Sequence, residues 1–124
     1  MADPRREMAL RGERLAEAFL KKRGFKSIAR RFNTPVGELD LVMRDGTTLV
    51  FVEVKTRRDR VFADPQDALN PTKWRRLTRA AHWFVRCRGW ENDPCRFDVV
   101  GVTLPERGDP EVEHFPAAFV PKDW

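Results

Sequence analysis

Gly37-Glu38-Leu39-Asp40-Leu41-Val42 and, a short turn later, Phe51-Val52-Glu53-Val54-Lys55 set charged side chains inside runs that are otherwise apolar and β-branched. Runs of this kind read as strands of a sheet with a buried face. Asp45-Gly46 is a favoured two-residue turn, so Glu38 to Arg44 and Thr47 to Lys55 are predicted to form a hairpin. With Arg44 facing Thr47, Glu38 opposes Glu53 and Asp40 opposes Phe51. A loop two residues longer sets Asp40 directly against Glu53. Strand side chains alternate with period two. In either register Glu38, Asp40, Glu53 and Lys55 therefore share one face with Leu49 and Phe51. Carboxylates on a covered face are costly unless compensated, and a bound cation is one compensation.

The rest of the chain supplies cover for that hairpin. Met8 to Arg23 has a helical pattern, with Met8, Gly12, Leu15, Ala16 and Phe19 on one face, and Asp3-Pro4 offers an earlier start. Gly24 stops it, and Phe25 to Phe32 reads as a first strand, closed by the turn residues Asn33 to Gly37. Thr56 to Thr72 reads as a long basic connection carrying Arg57, Arg58 and Arg60. Lys73 to Arg88 reads as a second helix, apolar along Trp74, Leu77, Ala81, Phe84 and Val85. Arg75, Arg76, Arg79 and Arg86 lie on its other face with Trp83 among them. Cys95 to Leu104 is a further strand and Val112 to Phe115 a short edge strand, within a tail that is irregular from about residue 105. The prediction is one domain over residues 1–124.

Composition narrows the partners. The chain has 124 residues, 41% hydrophobic and 35% charged, with a net charge of +5, so an anionic partner is favoured over an acidic protein surface. Cys87 and Cys95 are too few for a disulfide framework and form no C-x-x-C pair. No apolar signal core or membrane-spanning run is present in the sequence, so a cytoplasmic protein without a membrane partner is expected.

Asp40 followed by Glu53-Val54-Lys55 has the D…E-x-K arrangement of metal-dependent nucleases. Phosphodiester hydrolysis needs a nucleophilic water, neutralised phosphate charge and help for the leaving oxygen, and a divalent cation held by two carboxylates supplies most of this. Mg²⁺ or Mn²⁺ would take Asp40 and Glu53 as ligands, with the Val54 carbonyl a third. Lys55 is placed to deprotonate water or steady phosphate charge. Glu13, at the border of the first helix's apolar arc, is preferred as a further site acid over Glu17, which has Lys21 at i+4 for an exposed pair. Lys73 borders the apolar arc of the second helix and is read as reaching toward the site. With Arg57, Arg58, Arg75, Arg76, Arg79 and Trp83 it makes up the expected nucleic-acid contacts. The exposed Trp83 also suits a dimer contact. His82, His114 and Asp98 are read as structural.

Taken in order, Gly12-Glu13, Gly37 to Val42, Phe51 to Arg57, Lys73…Leu77…Ala80-Ala81 and Arg96 to Val100 resemble the YraN-type family of bacterial proteins. That family is similar to archaeal Holliday junction resolvases and to restriction-endonuclease-like nucleases. The resemblance implies an α/β fold with an α-β-β-β-α-β core, a mixed sheet flanked by helices. It also implies a helix acid at Glu13, metal ligands at Asp40 and Glu53, and a catalytic lysine at Lys55. Leu39 stands where many such nucleases carry proline, and Asp64 where relatives often carry glycine. The expected activity is metal-dependent endonucleolytic cleavage of DNA, branched DNA included, by a homodimer if the junction is symmetric. The alternatives are a nucleic-acid-binding protein with a vestigial or partner-dependent nuclease site, and a module that docks a protein on its basic face.

Overall fold

The computed structural model describes residues 3–58, 71–121 and 124. Helix α1 (Pro4–Lys22) begins four residues earlier than Met8 because Asp3 caps it, accepting from the Arg5 amide at 3.0 Å, with Pro4 preset for the first turn. Strands β1 (Lys26–Thr34), β2 (Gly37–Asp45) and β3 (Thr48–Arg57) follow, then helix α2 (Pro71–Arg88) and strands β4 (Cys95–Thr103) and β5 (Glu111–Phe119). The order is the expected α-β-β-β-α-β with one more strand. The sheet runs β1-β2-β3-β4-β5, antiparallel throughout except for β3 and β4, which are parallel. A parallel pair needs a crossover, and α2 lies on the one joining β3 to β4. Most of the long basic connection, including Arg60 and Asp64, falls outside the described residues.

Two details differ from expectation. The hairpin turn sits one residue later, at Gly46-Thr47, with Asp45 paired to Thr48 and Gly46 at φ 61. The loop keeps its two residues, and the shift carries the register to the one in which Asp40 continues opposite Glu53. The tail is more regular than its prolines suggest. β5 spans nine residues and contains Pro116, which an edge strand tolerates since one side of its backbone has no partner strand.

The sheet is covered on both faces. Ala16 and Leu20 of α1 pack with Leu41, Met43, Val50, Val52, Val100 and Val102 on one side. Trp74, Leu77 and Phe84 of α2 pack with Val42, Leu49, Phe51, Phe97 and Val99 on the other. Each such large apolar side chain contributes roughly 2 kcal/mol by burial. That far exceeds what an exposed arginine adds to a helix, so α2 is held by its apolar face and its basic face is unconstrained by packing. Trp124 joins the same side, stacking on His82 with ring centroids 4.2 Å apart. No helix among the described residues is long and apolar enough to cross a membrane.

Polar groups inside the core are paired. Asp98, fully buried, accepts from Arg96 at 3.0 and 3.3 Å, from His114 Nε2 at 2.8 Å and from the Ala117 amide at 2.9 Å. Burial opposes its charge, but these bonds outweigh burial and hold its carboxyl below the usual range. Asp98 and His114 are therefore structural, as read from the sequence. Glu17 is corrected. It is buried and not an exposed partner of Lys21, and it accepts from Arg30 Nε at 2.8 Å and from the Ser27 hydroxyl, tying α1 to β1.

Helix α1 comes very close to β3. A Cβ built on Gly12 would lie 1.9 Å from Thr56 Oγ1. Gly12→Ala should destabilise the fold by about 1–3 kcal/mol in chemical denaturation, with Thr56→Ala recovering part of the loss. An unchanged denaturation midpoint would show that the helix has room to move away.

Candidate metal and nucleic-acid site

The β2–β3 ladder stops at Leu41–Val52, one residue short of the two acids. On the far side of β2, pairing runs Arg30–Leu41 and Phe32–Leu39 around Arg31 and Asp40, and Arg31 lies in the left-handed region at φ 47. Such backbone costs a non-glycine residue on the order of 1 kcal/mol and persists only where its surroundings hold it. Where the backbone ladder ends a side chain takes over, and Asp40 Oδ2 accepts from the Val54 amide at 3.0 Å. That is the bond the structure gives Val54 at the site.

Glu53 follows Phe51 on the α2 face of β3 and is buried. Lys73, in the first turn of α2, places Nζ 3.0 Å from Glu53 Oε1. Burial pushes the Asp40 carboxyl up to about 7, and the neighbouring Glu53 charge adds to it. Lys55, two residues beyond Glu53 on the same face, is pulled down to about 8 by burial and by Lys73. Burial also opposes the charge on Lys73, yet Glu53, Lys55 and Asp40 together outweigh burial and raise its pKa. An amine near 8 is largely charged at neutral pH but gives up its proton readily, as a general base must.

Asp40, Glu53, Lys73, Arg76, Leu77 and Gly37 line a cleft of about 670 Å³ between the start of β2 and the start of α2. Arg76 and the first turn of α2 make one wall positive above the two acids. Among the described residues no three His, Cys, Asp or Glu side chains cluster as a full metal cage. Two carboxylates and a roomy cleft nevertheless suit Mg²⁺ or Mn²⁺, which keep several waters. Burial first, and the Glu53 charge second, hold the Asp40 carboxyl up, and a divalent cation between the two acids would favour its ionised form.

Glu13 comes from α1 on the other side of the sheet's end. Burial raises its carboxyl, partly offset by Arg31, which donates to it from Nε at 2.9 Å and from the terminal nitrogen at 3.3 Å. Arg31 also lies 3.8 Å from Glu38. Glu13 is thus close enough to Asp40 to feel its charge, though an arginine already occupies its carboxylate. Arg31 does not stand out in the sequence. Arg30-Arg31 looks like a solvated pair, and only its strand position opposite Asp40 could have flagged it. Arg75, Arg76, Arg79 and Trp83 are exposed on α2, and Arg57 is exposed at the end of β3. Arg58 lies apart from the cleft, in a separate depression with Pro4, Glu7 and Arg11 of α1.

The geometry belongs to an α/β protein with a paired-carboxylate cleft at the end of a mixed sheet. Residues 12–102 match uncharacterised protein family UPF0102, the YraN-type family, and the chain belongs to it. A UPF0102 protein of Syntrophotalea carbinolica is 46% identical over 91% of each chain. One from Anaeromyxobacter dehalogenans is 45% identical over 94% of this chain and 87% of its own. A third, from Geobacter sulfurreducens, is 42% identical over 90% and 88%. The match covers Glu13, Asp40, Glu53, Lys55 and the arginine face of α2.

Asp40 must lose its proton before it can hold a cation. Mn²⁺ affinity should therefore climb about tenfold per pH unit below 7 and level off above it, measured by titration calorimetry. Lys73→Met should raise that affinity several-fold, because the lysine ammonium no longer competes for Glu53. A flat pH profile, or weaker Mn²⁺ binding in the variant, would contradict this balance of charge.

Proposed function

We propose that this protein is a Mg²⁺- or Mn²⁺-dependent DNA endonuclease acting on branched DNA, and that it works in the cytoplasm. The observation carrying the proposal is the pair Asp40 and Glu53 at the cleft, with Lys55 on the same face and Lys73 and Arg76 on the wall above. Asp40 and Glu53 would hold the cation, with the Val54 carbonyl as a backbone ligand, and such a cation would supply neutralisation of phosphate charge and activation of a water. Lys55, as the free amine, takes a proton from the attacking water. The water oxygen forms the new bond to phosphorus, and the bond to the leaving oxygen breaks, the departing oxyanion taking a proton from solvent water. Lys73 and Arg76 contact the non-bridging phosphate oxygens. Glu13, fixed by Arg31, adds negative charge beside Asp40 and would strengthen the hold on a cation. A symmetric junction needs both strands cut, so on that substrate the acting species is a homodimer.

A second reading has its own support. Lys73 already sits on Glu53, and an Asp40 carboxyl near 7 is half protonated at neutral pH, so the site is partly balanced without metal. On that reading the protein binds nucleic acid and its cleavage site is vestigial or completed by a partner.

Asp40→Asn separates them. The amide keeps the shape and loses the charge, so Mn²⁺ affinity and nicking should each fall at least 100-fold, while metal-free DNA affinity stays equal or rises. Wild-type protein that binds DNA but nicks neither linear, flapped nor four-way substrates with Mn²⁺ would favour the binding-only reading. Unchanged Mn²⁺ affinity in Asp40→Asn would remove the site assigned here.

The role of the basic face is testable by salt. Arg75→Ala/Arg79→Ala should lower the slope of log affinity against log salt by roughly two, one for each phosphate that no longer has a guanidinium to neutralise it. Wild-type affinity in the double variant at every salt concentration would exclude this face.

A further inference from the structure

Two sets of arginines in this protein contrast sharply. Arg30, Arg31, Arg44 and Arg96 are all engaged by carboxylates. Arg75, Arg76, Arg79 and Arg86 are exposed and, among the described residues, have no ion-pair or hydrogen-bond partner. At 3.6 residues per turn these four and Trp83 fall within about 100° of arc on α2, opposite the face that packs on the sheet. Trp83 is 42% exposed in the middle of that stripe and meets no other ring among the described residues.

A stripe of free guanidiniums fits phosphates of any nucleic acid, double- or single-stranded. Trp83 is more selective. In a duplex the base faces are stacked on one another, so an indole on a helix surface finds no face to cover. An unpaired base offers one, and arginines on either side can follow its backbone. Arg76 lies on the cleft wall as well as on the stripe, and Trp83 is seven residues further along a rigid helix, about 10 Å away. The stripe is thus continuous with the cleft and leads out of it.

We propose that this face of α2 binds a single-stranded arm leaving the duplex held at the cleft, with one unpaired base stacked on Trp83. The proposal rests on the nucleic-acid reading of the cleft and narrows its substrate to DNA that is unpaired within a few nucleotides of the site. Charge complementarity selects the occupant, since the face is uniformly basic and a second copy of this chain would bring the same arginines against it.

The test is binding without divalent metal, so that it is independent of cleavage. Fluorescence anisotropy is measured on a labelled single strand, a blunt duplex, and the same duplex with a single-stranded arm, for wild type, Trp83→Ala and Trp83→Phe. Trp83→Ala should lose about tenfold on the single strand and the armed duplex, the effect of one stacked base, and less than about twofold on the blunt duplex. Trp83→Phe should recover most of the loss. Because Trp83 lies outside both apolar layers, both variants should melt as wild type does. An equal loss on all three DNAs, or no loss, overturns the proposal and leaves the cleft's function standing. Dissociation of a dimer on Trp83→Ala, without selective loss of arm binding, overturns it in favour of a contact between copies. Wild-type protein that binds none of the three overturns both this inference and the nucleic-acid reading beneath it.

Discussion

Two carboxylates placed opposite one another on adjacent strands set the terms for this structure. Asp40 and Glu53 come together because the hairpin register leaves them opposite just as its ladder ends. Everything nearby answers their repulsion. Val54 gives its amide to Asp40, Lys73 gives its ammonium to Glu53, and Asp40 itself resists ionisation. Phe51 and Leu77 help to keep the pair covered, so water cannot screen it cheaply. The arrangement is stable as part of a fold whose apolar layers hold β3 from both sides.

Most of this was legible in the sequence because it depends on period and sign. Alternation along β3 put Glu53 and Lys55 with Phe51, and the 3.6-residue period put Trp74, Leu77 and Phe84 under the sheet and the arginines outside. The details that escaped depend on geometry that a pattern does not carry. The hairpin turn moved one residue because Gly46 takes the positive-φ position at the start of the loop. Glu17 looked like half of a surface pair because Lys21 is its helical neighbour, whereas Ser27 and Arg30 come from a strand that the helical wheel cannot see. β5 looked short because Pro116 breaks most strands, but an edge position removes the objection. Arg31 offered only its strand position opposite Asp40 as a signal, since its role comes from a backbone twist there.

Helix α2 connects the two parts of the candidate site. Lys73 in its first turn reaches the acid pair, and the same helix carries the basic stripe away from it. Its position comes from aromatic packing, with Phe84 edge-on to Phe32 and Phe51, and Trp74 stacked on Phe119. The spacing between the cleft and the stripe is therefore set by a rigid rod and not by a loop.

The buried Asp98 and the half-buried Asp40 pull the fold in opposite directions as acidity changes. Asp98, held below its usual range by Arg96 and His114, adds stability above the unfolded carboxyl range and loses it as pH falls through its folded value. Asp40, raised to about 7, has the reverse effect, contributing least strain when protonated and most as pH climbs from about 4 through 7. One acid serves as a rivet and the other as a compressed spring in the same sheet. A lineage that no longer needed the cleft would gain stability by losing Asp40, and would gain nothing by losing Asp98. Whether a relative keeps or loses the acid that costs stability would therefore report whether its cleft is still in use.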